Sequence, residues 1–76
     1  MIGGEFPYRY SKHAKWQKRE RLINDTEVEE CIDDYDIRCT DKKGNPVYKA
    51  RISSGRGIKV VIAQDDNRYI ITVADY

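Results

Sequence analysis

His13, Gln17 and Arg21 recur every four residues. On a helix turning about 100° per residue the imidazole and the guanidinium then sit roughly 80° apart, with the amide between them. One ridge could present all three to a ligand. Metal-independent RNA cleavage needs a group to deprotonate the 2′-hydroxyl or protonate the leaving 5′-oxygen, and a donor for the charge growing on the phosphorus oxygens. Histidine exchanges a proton near neutral pH, and arginine grips a phosphate through two parallel hydrogen bonds. His13 is therefore the candidate catalytic acid or base and Arg21 the candidate phosphate clamp. Each also has a structural use: His13 could bond to backbone in the first helical turn, and Arg21 could pair with an acid of the next helix.

Further cations follow. Lys49 and Arg51 alternate with Tyr48 and Ala50, so both emerge on one face of a strand, as a phosphate track or as a solvated edge. Lys59 alternates with Val61 and Ala63 and falls at the rim of the sheet face under the helices. Arg56 lies between Gly55 and Gly57, where it is free to reach a ligand and equally free to do nothing. Tyr76 closes the last strand and could stack on a base or relay a proton, although such a ring more often packs. Lys49, Arg51, Arg56, Lys59 and Tyr76 are thus the candidate nucleic-acid contacts. Tyr8, Tyr10 and Trp16, set among Lys12, Lys15, Lys18 and Arg19, also look like a single-strand platform; burial over a thin core explains these rings more cheaply.

These residues must be positioned by a short series of elements. Ser11 is a plausible N-cap for a helix through Arg21, although Ala14, Trp16 and Leu22 form no clean apolar stripe and long alkyl stems must help it pack. Asn24 opens a second helix with Glu27 at its third position, and Ile23 can staple onto Val28. Val28, Cys31 and Ile32 then face inward. Asp33 and Asp34 oppose the helix dipole and should end it. Ile37 to Thr40, Val47 to Ile52, Ile58 to Gln64 and Tyr69 to Asp75 read as strands separated by turns at Asp41–Asn45, Ser53–Gly57 and Asp65–Arg68. The run Ile58 to Gln64 is the most apolar and should be central. The expected fold is α+β: two N-terminal helices packed on a three- to four-stranded antiparallel sheet, with residues 1–10 a flexible lead-in and 11–76 a single domain.

A chain of 76 residues, 39% hydrophobic and 36% charged, has room for one domain with a thin core. Its net charge of +1 conceals alternation by segment: +4 over residues 1–23, −7 over 24–36, +6 over 37–59 and −2 over 60–76. Basic stretches that meet in space would make a cationic face opposite an acidic helix; the competing arrangement is internal neutralisation. Cys31 and Cys39 make no disulfide framework, Cys31 reads as a small apolar filler, and with a single histidine no metal or other cofactor is expected. The first six residues hold no apolar core of signal-peptide length and no run could span a bilayer, so no membrane contact and a cytoplasmic setting are the default. Gly3-Gly4-Glu5-Phe6 spells a cyclase signature by chance, lacking a nucleotide-binding sheet around it.

The order of elements, with His13-Ala14, then Arg21-Leu22-Ile23-Asn24 and Val28, then Asp41-Lys42-Lys43-Gly44, Val47-Tyr48-Lys49 and Ile58-Lys59-Val60-Val61, resembles a family of short bacterial and archaeal proteins of unknown function (DUF4258-like). That family is grouped with the RelE/ParE-like toxins. The resemblance runs from about Tyr10 to Thr72. It implies helices on one face of a curved antiparallel sheet, and a toxin-antitoxin endoribonuclease acting through His13 and Arg21 with RNA and an acidic or amphipathic antitoxin as partners. It is equally compatible with a non-catalytic RNA-binding or protein-interaction module of the same fold. The near-neutral pI of about 7.7 favours the second, since active toxins of this kind are usually more basic. Lys18 stands where the family more often has an apolar residue, and Leu22 where it often has glycine.

Overall fold

The computed structural model describes residues 6–76; Met1 to Glu5, which include most of the cyclase-like signature and the first part of the expected lead-in, lie outside the described residues. Chain order is β1 (Arg9–Tyr10), α1 (Lys12–Glu20), α2 (Asp25–Asp33), β2 (Ile37–Thr40), β3 (Pro46–Arg51), β4 (Gly57–Ala63) and β5 (Asp66–Asp75). The strands form one sheet in the order β1-β5-β4-β3-β2. The last four make an antiparallel meander, while β1 lies parallel to β5 with Arg9 beside Tyr69 and Tyr10 beside Ile70.

This corrects the expected three- to four-stranded antiparallel sheet in two respects: the sheet has five strands and is mixed, and a strand precedes the two short helices. The missed strand is two residues long, too short for alternation to register, and its partner lies some sixty residues away. Where β1 stops, the free edge of β5 is completed by the start of α1. The Ser11 amide donates to the Ile70 carbonyl at 2.9 Å, and the Ser11 hydroxyl reaches the Ile71 carbonyl at 3.3 Å.

The local signals for the helices operate as read. Ser11 caps α1 by accepting from the Ala14 amide at 3.0 Å. Asn24 and Glu27 form a reciprocal capping box, at 2.8 and 3.0 Å, and Ile23 is buried at the staple position before it. Val28, Cys31 and Ile32 are buried on the inner face of α2, which ends at Asp33. Burial pushes the Cys31 thiol up to about 11, so it stays protonated and packs as a small apolar group. Leu22, in the turn between the helices, has φ 54°, a left-handed conformation that glycine adopts at less cost. Its side chain is 82% exposed.

Both helices lie on one face of the sheet. Ala50, Ile52, Ile58, Val60, Ile62, Ile70 and Val73 project into the core beneath them, joined by Phe6, Tyr8, Tyr10 and Tyr48. β4 is the middle strand, as its apolar run implies. Because strand side chains alternate, the residues between these project to the opposite face, which neither α1 nor α2 covers.

Candidate functional site

The uncovered face takes its character from β3 and β4. Ala50 and Ile58 point into the core, so Lys49 and Lys59 point away from it, which corrects the expected place of Lys59 under the helices, and the strand register sets these two lysines directly opposite one another. The row continues to Ile37 of β2 on one side and Ala74 of β5 on the other. Neither lysine takes part in an ion pair among the described residues. Like charges directly across a ladder are destabilising. An anion between them would convert that cost into attraction.

The neighbouring rows build a floor and a rim. Val47 faces Val61 on this side, and although neither helix covers them they are only 5% and 7% exposed. Tyr76 continues the β5 edge past Asp75, its amide donating to the Gly57 carbonyl at 3.0 Å. Its ring, 54% exposed, has the Lys49 ammonium 5.4 Å from its centroid. Arg51 projects to the same side, its guanidinium donating to the Gly55 carbonyl at 2.8 Å. At the far edge Arg9 sits over the Tyr69 ring, 5.2 Å from its centroid, and pairs with Asp66.

Four of the five candidate nucleic-acid contacts, Lys49, Arg51, Lys59 and Tyr76, are thus brought to one face. Arg56 is not. It reaches back to the helix layer, donating to the carbonyls of Leu22, at 2.9 Å, and Arg21, with Glu27 and Asp75 each 3.7 Å away. Those carbonyls are orphan acceptors where α1 ends, so the guanidinium fastens the α1–α2 turn to the end of the sheet. The expectation that flanking glycines leave Arg56 free is corrected: the backbone there is permissive, but the side chain is fully engaged.

The proposed catalytic ridge is divided. Gln17 is turned into the protein, 8% exposed, where its Oε1 accepts the Val73 amide at 3.0 Å. His13 is exposed in the first turn of α1, its ring stacked near Trp16 with centroids 6.3 Å apart. Arg21 is the C-cap of α1, its guanidinium 3.8 Å from the Asp75 carboxylate. About 12 Å of helix axis separates the His13 and Arg21 backbones. The helix that carries them lies on the side of the sheet opposite Lys49 and Lys59, so the imidazole and the open lysine pair do not share a surface.

The acidic segment behaves as one of its two alternatives in part. α2 lies on the side away from Lys49 and Lys59, which leaves that face cationic, while Glu27 and Asp25 neutralise Arg56 and Lys18 within the helix layer. Sequence reasoning missed Arg9 and Tyr69 as members of the open face. Strand alternation places Tyr69 opposite in direction to Ile70, but Arg9 joins only through the parallel pairing of β1. Among the described residues no group of three or more His, Cys, Asp or Glu could hold a metal ion, and no helix is long and apolar enough to cross a membrane.

No curated protein and no solved structure matches this chain. The family described as "Domain of unknown function (DUF4258)" matches it over residues 10–75, from the second residue of β1 to the last of β5. That span takes in every element that forms the sheet and both helices, and the chain belongs to this family.

Proposed function

We propose that the chain is a small, non-catalytic RNA-binding module whose open sheet face holds a single strand. The observation that carries this reading is the Lys49–Lys59 pair: two cations held face to face by strand register, without an acidic partner among the described residues, beside the exposed Tyr76 ring. Lys49 and Lys59 take a backbone phosphate, Arg51 extends the track along β3, and Tyr76 offers a face for one base. A single strand suits the site because an exposed aromatic ring needs an unstacked base.

The test is a titration of fluorescent oligouridylate at 50 and 200 mM salt. Wild-type affinity should fall steeply with salt. The Lys49→Gln/Lys59→Gln variant should bind at least tenfold more weakly at the lower salt, with a salt slope reduced by about 1.4, or about 0.7 for each ammonium group removed. Unchanged affinity in that variant refutes the reading. The same samples, run on a denaturing gel, test the endoribonuclease alternative, in which His13 moves the proton, Arg21 holds the phosphate and an antitoxin covers the cationic face. Cleavage that disappears in His13→Ala would replace the binding reading with the catalytic one.

A further inference from the structure

The helix side of the molecule carries a second surface, independent of the sheet face. Lys15, Lys18, Arg19 and Leu22 follow one another at i, i+3, i+4 and i+7, so they form a single ridge along α1 and into the turn after it. Between this ridge, Tyr10 and the start of α2 at Asp25 runs an open groove of about 780 Å³, lined mainly by apolar atoms.

Two features define its occupant. Leu22 is an apolar knob fixed in place: its left-handed φ of 54° closes the turn, the Ile23 amide donates to the Lys18 carbonyl at 3.0 Å, and Arg56 holds the Leu22 carbonyl from below. The backbone so held keeps the side chain 82% exposed and out of the core, at a position where glycine would serve the turn with less strain. The second feature is charge. Asp25, the acid lining the groove, is already occupied by the Lys18 ammonium and the Tyr10 hydroxyl. Lys15 and Arg19 are exposed and in no ion pair among the described residues. A cationic rim around an apolar floor and knob complements carboxylates flanking an apolar side chain.

We propose that this groove docks an acidic segment of a partner protein, one that sets apolar side chains against Leu22 and carboxylates against Lys15 and Arg19. Binding there leaves the Lys49–Lys59 face open, so the domain can hold RNA on the sheet and a protein on the helices at once.

The experiment follows the backbone amides of ¹⁵N-labelled protein by NMR during two titrations. One adds a twelve-residue peptide of glutamates with leucines at i, i+3, i+4 and i+7, and the other adds oligouridylate. The peptide should shift the amides of Lys15, Arg19, Leu22 and Asn24 and leave those of Lys49 and Lys59 unmoved. Leu22→Gly removes the knob while relieving the backbone, so it stays folded and should weaken peptide binding at least tenfold. Lys15→Glu/Arg19→Glu, at exposed positions, should abolish it. The proposal is overturned if the peptide produces no shifts, if Leu22→Gly binds it as wild type does, or if oligouridylate rather than the peptide moves the groove amides. Oligouridylate shifts at Lys49 and Lys59 report on the RNA reading separately, so either surface can fail alone.

Discussion

Replacing Gln17 with leucine separates the two uses its amide could have. If the amide served a ligand, its loss would leave the free protein's stability almost untouched. The structure assigns it instead to the Val73 amide, which it accepts at 3.0 Å within a buried contact. Val73 lies on β5 beyond the point where β1 ends, so no neighbouring strand supplies an acceptor there. Leucine retains the apolar bulk near this 8% exposed site and deletes only the acceptor. A buried donor left without a partner costs about 1–3 kcal/mol. For a domain of this size each kcal/mol shifts the melting temperature by roughly 4–8 °C, so a loss of about 2 kcal/mol should lower it by roughly 8–16 °C. Calorimetry measures that shift, and hydrogen exchange locates it: Val73 should lose protection well beyond the general destabilisation. His13→Ala, at an exposed position on the same helix, should stay within about 0.5 kcal/mol of wild type. Gln17→Leu within that same band, with Val73 still protected, would refute the assignment and return the amide to a role at the surface.

Val61→Ala should cost about 1–3 kcal/mol in a denaturant titration, since Val61 is well covered on the middle strand; a change of a few tenths would mean that its neighbours give it little packing. Gly57→Ala should destabilise because a Cβ there would collide with the Tyr76 carbonyl oxygen, and the Tyr76 amide should exchange faster in that variant; Gly55→Ala, where the space is open but φ is 90°, should destabilise through the backbone alone and leave Tyr76 exchange unchanged. Tyr10 makes a prediction in pH. Burial first, then its hydrogen bond to Asp25 and the negative charge there, raises its pKa above the ordinary 10.0. The stability it confers is fully present below pH 10 and declines as pH rises further, because the unfolded chain releases this proton before the folded one does. Tyr10→Phe should therefore have a shallower loss of stability above about pH 10, as read by chemical denaturation across that range.

How far the sequence discloses this arrangement depends on the range of each signal. The capping box at Asn24 and Glu27 spans three residues and could be read directly, as could the inward face of Val28, Cys31 and Ile32. Arg56 meets its carbonyls 34 and 35 residues away, and Gln17 meets Val73 at a separation of 56, so neither contact leaves a trace in local spacing. Helical spacing related His13 to Arg21 as an angle, yet it could not say that the residue between them faces the sheet. α1 has so few apolar positions that its inner face is defined by Ala14 and by a polar side chain filling an incomplete strand edge.

The lysine pair lies between these limits, and its origin bears on what it is for. Alternation within β3 makes Lys49 point away from Ala50, and alternation within β4 makes Lys59 point away from Ile58 and Val60. Neither strand alone says that the lysines meet. That follows from the Ile52–Arg56 turn, where the Ile52 amide donates to the Arg56 carbonyl at 2.9 Å and sets Arg51 opposite Gly57. A slip of one residue would part the two ammonium groups, but it would also turn Ile58, Val60 and Ile62 away from the helices, and burying each such side chain is worth about 1.5–3 kcal/mol. Like-charge repulsion across a ladder, at most about 1 kcal/mol, cannot drive that change. The core therefore fixes the two lysine backbones opposite one another in the free protein, with the Lys49 ammonium turned toward the Tyr76 ring, so that an anion binding there would meet both stems on one face.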